Sequence, residues 1–128
     1  MKLLLDTHAL LWWGREKDRL GRAAVQEIES EENERFVSAV SAVEIATKFR
    51  LGKLPGADVL AMSFAEETAN AGFEHVSITV RHAQMAGNLA IPHKDPFDRL
   101  LIAQAILEGM TLVSNEALFD RFGVSRLW

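Results

Sequence analysis

Apolar and polar positions along the chain follow two alternating rhythms, short continuous runs and longer stretches with helical spacing. Residues 2–5 form an apolar run that stops at Asp6 and predict a buried strand. Residues 8–13 carry a helical pattern ending near Gly14, and 21–31 predict an amphipathic helix with Ala24, Val25 and Ile28 on one side. Residues 35–39, rich in Phe and Val, predict the next strand, and 41–51 a helix closed by Gly52. Pro55 and Gly56 mark a turn before a helix over 59–71 that Gly72 ends. A strand over 73–78 and a helix over 80–89 follow. The clearest helix spans 95–108: Asp95 suits its N-cap, Pro96 its first position and Gly109 its stop. A strand at 110–113, a short helix at 117–122 and a strand at 124–127 complete the pattern. Strands separated by helices build βαβ units. The prediction is one α/β domain over residues 1–128, with a mostly parallel central sheet of about five short strands and helices on both faces.

Composition narrows the class. Hydrophobic residues at 48% and charged residues at 25% exclude a disordered chain, and no apolar run approaches the roughly 20 residues of a membrane span. Asp6 and His8 interrupt the apolar stretch 3–13 and no small-residue cleavage site follows, so a cytoplasmic protein is expected. With 0 cysteines, disulfides, thiolate nucleophiles and Cys-based zinc sites are excluded. Five glutamates (Glu27, Glu29, Glu31, Glu32, Glu34) crowd one segment; setting them aside turns the formal charge of the rest from −4 to +1. The acidity is local, and a nucleic-acid partner stays open.

In open parallel sheets, ligands bind beyond the carboxyl ends of the strands. Asp6 directly follows the first strand, and Ser114, Asn115 and Glu116 directly follow the strand ending at Val113. Glu44 falls early in the helix after the second strand, and Asp98 in the first turn of the long helix. Four carboxylates thus head for one end of one sheet. Each has a plainer use. Glu44 completes a capping box with Ser41, or pairs with Lys48 one turn on. Asp98 favours the helix dipole, and Glu116 sits behind a Ser114 or Asn115 cap. Asp6 has no cap to make except through Thr7 or His8. Asp98 also points between Ile102 and Ala105 on a largely apolar helix, where a charge is costly unless a cation meets it. Carboxylates sharing a pocket stay ionised only if a cation neutralises them, and oxygen donors select Mg²⁺ or Mn²⁺. Such a site suits phosphodiester hydrolysis.

The stretches LDTHALLWW at 5–13, SAVEIA at 41–46, HKDPFDRLLIAQA at 93–105 and LVSNE at 112–116 together resemble a PIN domain. More narrowly, the chain is similar to the VapC toxins of bacterial type II toxin–antitoxin systems. That resemblance implies a Mg²⁺-dependent endoribonuclease, usually a homodimer, inhibited by a cognate antitoxin whose C-terminal segment occupies the active-site groove. It places the family's acids on Asp6, Glu44 and Asp98, with Glu116 where an aspartate is usual. Asp6 and Asp98 are then the principal metal ligands, Glu44 and Glu116 hold metal-bound waters or a second ion, Ser114 orients Asp6, and Asp95 supports the site.

Lys48, Arg50, Lys53 and Arg99 place positive charge beside the acids, either to contact RNA phosphates or as solvated helix ends. Trp12 and Trp13 can stack on bases or pack in the core, and His8 and His93 adjoin the motifs. A non-catalytic PIN-like module that binds a protein partner is the competing reading. A phosphoacceptor receiver domain is disfavoured, because no acceptor aspartate follows 73–78 and no lysine follows the 110–113 strand.

Overall fold

The computed structural model describes residues 1–93 and 95–128. Strand β1 (Lys2–Leu5) leads into α1 (Thr7–Arg15), a short 3₁₀ turn at Lys17–Arg19 and α2 (Arg22–Glu29). Then come β2 (Glu34–Ser38), α3 (Ala39–Arg50), α4 (Asp58–Asn70), β3 (Glu74–Val76) and α5 (Val80–Asn88). The chain finishes with α6 (Pro96–Glu108), β4 (Thr111–Val113), a 3₁₀ turn at Ala117–Phe122 and β5 (Arg126–Leu127). The five strands lie in the order β3-β2-β1-β4-β5, and every neighbouring pair is parallel. The predicted architecture is therefore present, with the sheet wholly rather than mostly parallel.

Alternation along β1 divides the core in two. Leu3 and Leu5 face one layer, with Ala9 and Leu10 of α1 and Ala24 and Ile28 of α2. Leu4 faces the other, with Leu101, Ile102 and Ala105 of α6. An apolar run served by helices on both faces is what a central parallel strand requires. α6 is bounded as expected: Asp95 accepts the amides of Phe97 and Asp98, Pro96 opens the helix, and Gly109 takes the left-handed conformation at φ 66°.

Two boundaries differ from the sequence reading, with consequences for the acids. α1 begins at Thr7, not residue 8, so Asp6 itself is the N-cap, accepting the Ala9 amide. Asp6 was expected to cap only through Thr7 or His8; its cap bond runs to Ala9 instead. α3 begins at Ala39 behind a Ser38 cap, which puts Glu44 in the second turn and removes the capping box expected with Ser41.

Connections step outward from β1 through β2 to β3, then return to β4 on β1's other side. The direction of winding reverses there. The crevice at the carboxyl ends of β1 and β4 is the topological switch point of the sheet.

Candidate active site

The two strand ends at that crevice are tied together by the Asp6 amide, which donates to the Val113 carbonyl at 3.0 Å. Asp6 is the first residue beyond β1 and is 7% exposed. Its Oδ1 accepts the Ala9 amide at 2.8 Å. Burial pushes its carboxyl up to about 6, against the Ser114 hydroxyl and the Ala9 amide, which favour the charged form; the Asp98 charge adds to the rise.

Asp98, in the first turn of α6, is half-buried, and its Oδ2 accepts a hydrogen bond from His93 Nε2 at 2.7 Å. An ionised carboxylate only accepts, so the proton belongs to Nε2. Burial also raises the Asp98 carboxyl above its usual range; His93 opposes this, and the charges of Asp95 and Glu44 reinforce it. Glu44 is 3% exposed and held from two sides. Thr7 Oγ1 donates to its Oε1 at 2.6 Å, and the Lys48 ammonium donates to Oε2. Burial alone would depress Lys48, but its bond to Glu44 and the charges of Asp95 and Asp98 outweigh that and raise it.

Asp98 thus lies within electrostatic reach of Asp6, Asp95 and Glu44. Among the described residues, however, no three acidic or histidine side chains converge tightly enough to cage an ion unaided. Mg²⁺ does not ask for that. It keeps several waters and is commonly held by one or two carboxylates. Asp6 and Asp98 supply two oxygen donors whose negative charge is incompletely compensated, so the residues fit a hard divalent cation.

Other expected residues divide. Ser114 is fully buried, and its Oγ accepts the Glu116 amide at 3.1 Å while its hydroxyl supports the Asp6 charge. Asp95 caps α6 and stays close enough to act on Asp98. Glu116 is exposed, and its charge acts on Arg126 rather than on the buried acids. Lys48 is committed to Glu44, whereas Arg50 and Lys53 are exposed. Arg99, expected at RNA phosphates or as a solvated helix end, donates its guanidinium to the carbonyls of Ala86, Gly87, Leu89, Ile91 and His93. Trp12 packs edge-on against Trp128 beneath Arg19, and Trp13 lies beneath Lys17, which favours the packing reading for both.

Thr7 was passed over in the sequence. Its position directly after the strand-end acid was the available signal, but its partner lies 37 residues away and only the fold joins them. Gln104 was missed too. It is fully buried and accepts the Ser38 hydroxyl at 2.6 Å, tying α6 to the start of α3.

A parallel sheet wound in this order, with acids gathered at its switch point, defines the PIN class. The PIN domain family model matches residues 3–124, and the chain belongs to that family. It is 34% identical over 118 residues to Ribonuclease VapC22 of Mycobacterium tuberculosis, covering 89% of this chain and 86% of that protein. Its fold is similar to VapBC2 from Rickettsia felis bound to a DNA fragment from the promoter, at TM-score 0.72 and 17% identity, covering 99% and 98% of the two chains. It is also similar to a toxin–antitoxin complex from Klebsiella pneumoniae, at TM-score 0.66 and 18% identity, covering 98% and 96%.

Proposed function

We propose that this chain is a VapC-type endoribonuclease toxin that hydrolyses RNA phosphodiester bonds with Mg²⁺, or Mn²⁺ in its place. The observation that supports the reading is that Asp98, far from Asp6 in sequence, acts on the buried Asp6 carboxyl at the switch point with its charge. Membership of the PIN family and likeness to a named ribonuclease point to the same chemistry.

Asp6 and Asp98 would hold the ion. When bound, Mg²⁺ supplies an activated water and neutralises charge on the leaving oxygen. Ser114 and the Ala9 amide keep the Asp6 carboxylate in one orientation. Glu44, fixed by Thr7 and Lys48, contributes negative charge beside Asp98. Glu116 stands outside this set. Exposed Arg50 and Lys53, on the far side of Lys48 in sequence, are the candidates for RNA backbone contact.

The protein would act in the cytoplasm as a homodimer, silenced by a cognate antitoxin. An apolar groove of about 410 Å³, lined by Leu10, Trp13, Val59, Leu60 and Phe73, suits the apolar face of such a partner.

The deciding experiment incubates a pool of structured RNAs with the parent protein and with Asp6→Asn, in Mg²⁺ and in chelator. Cleavage should need Mg²⁺ and should fall at least 100-fold in Asp6→Asn. A variant that cuts as well as the parent sinks the assignment. Activities unmoved by chelation would instead favour the non-catalytic binding module.

A further inference from the structure

Arg99 adjoins Asp98 in sequence, yet its guanidinium turns away from the crevice and into the backbone of residues 86–93. Nε donates to Ala86 at 2.9 Å, Nη1 to Ile91 at 3.1 Å and His93 at 2.9 Å, and Nη2 to Gly87 at 3.3 Å and Leu89 at 2.6 Å. All five donors of the group are spent on carbonyls. There is a local reason. α5 ends at Asn88 with Leu89 as its C-cap (φ −56°, ψ 123°) and no left-handed glycine to close it, so its last carbonyls have no helical partner. Arg99 meets two of them and pins the segment that follows.

That segment delivers His93. Its carbonyl is held by Arg99, and its ring Nε2 donates to Asp98 Oδ2 at 2.7 Å. The ring also meets Phe119 edge-on, 5.6 Å between centroids, which fixes its plane. Two adjacent residues of α6 therefore grip one loop residue: Arg99 holds the His93 backbone, and the His93 ring holds Asp98.

We propose that Arg99 is a positioning residue of the acidic site, acting through His93 to set the orientation of Asp98. The inference rests on reading Asp98 as a metal-holding carboxylate. With Oδ2 bound to His93, Oδ1 is the oxygen presented to an ion. Lysine cannot replace the guanidinium, because a single ammonium has three donors and no planar fork to span five carbonyls. Glutamine can replace His93, because its amide N–H reaches as the ring Nε2–H does.

The test compares the full-length parent with Arg99→Lys, Arg99→Ala, His93→Ala and His93→Gln. Mg²⁺ affinity is measured by calorimetry without RNA, cleavage of the RNA pool gives kcat and KM, and thermal midpoints report folding. NMR follows the His93 Nε2 proton in metal-free protein. Arg99→Lys and His93→Ala should weaken Mg²⁺ binding about 10–100-fold and lower kcat with KM unchanged, while His93→Gln stays close to the parent. The Nε2 proton signal, sharp in the parent, should be lost in Arg99→Lys. Recovery of activity in Arg99→Lys, together with a KM and salt dependence that change in Arg99→Ala, would establish phosphate contact and overturn the proposal. So would a lowered thermal midpoint with Mg²⁺ affinity intact. If the parent takes up no Mg²⁺, the proposed function fails by itself. The Nε2 signal then decides the positioning role alone: its absence in the parent, or its persistence in Arg99→Lys, overturns it.

Discussion

Asp6 does two jobs at once, capping α1 through one oxygen and standing buried at the crevice. Its folded pKa of about 6 lies above the ordinary 3.8, so between those values the folded state binds the extra proton. Its stabilising contribution is fully present below about pH 4 and is lost as pH rises through 6, a swing of roughly 3 kcal/mol. Asp98, raised in the same direction, adds to the trend. Asp6→Asn keeps an oxygen for the Ala9 amide while removing the charge. In chelator at pH 7.5 its thermal midpoint should rise relative to the parent, and the difference should shrink below pH 5. A midpoint below the parent's at pH 7.5 would show that the carboxylate is structural. Sequence spacing brought attention to Asp6, Glu44 and Asp98, since each follows a strand or opens a helix. It could not reveal Thr7 or the engagement of Arg99, because a guanidinium's partners depend on which carbonyls the fold leaves unmet.

Among the elements, α6 organises the others. Its Asp98 faces the crevice, its Arg99 closes α5, and its Gln104 reaches Ser38, the cap of the helix that carries Glu44. Gln104 Nε2 also donates to the Ser77 carbonyl at 3.3 Å and lies 3.3 Å from His82 Nδ1. His82 is buried, accepts the Thr79 amide on Nδ1 and donates a hydrogen bond from Nε2 to Glu108. Gln104→Leu strands the buried Ser38 hydroxyl in the interior and removes a donor from the Ser77 carbonyl. Urea denaturation should show a loss of about 1–3 kcal/mol per stranded group, as a lower midpoint at unchanged slope. A variant as stable as the parent would mean that these groups find other partners. The helix boundaries of α6 were legible because Asp95, Pro96 and Gly109 act locally on its backbone. Those of α1 and α3 slipped by one or two residues, and each slip reassigned an acid: Asp6 became a cap, and Glu44 moved from the first turn into the buried second.

Over the whole molecule, negative charge gathers where the fold offers two strand ends. Among the described residues Lys48 offsets Glu44, and Asp6 and Asp98 are the acids proposed to hold an external ion. Mg²⁺ should therefore raise the thermal midpoint at pH 7.5, by an amount growing with the logarithm of its concentration, and should do little at pH 4.5, where protonated Asp6 no longer attracts it. Equal shifts at both pH values would place the ion elsewhere. The order of strands and helices and the apolar faces that must be buried were determined by the sequence alone, because periodicity and turn chemistry act over a few residues. Which carboxylates meet, how deeply each is buried and what already holds it were decided only by the tertiary structure. Burial and charge act through space, and the charge of Asp98 acts on Asp6 because the winding reverses between β1 and β4.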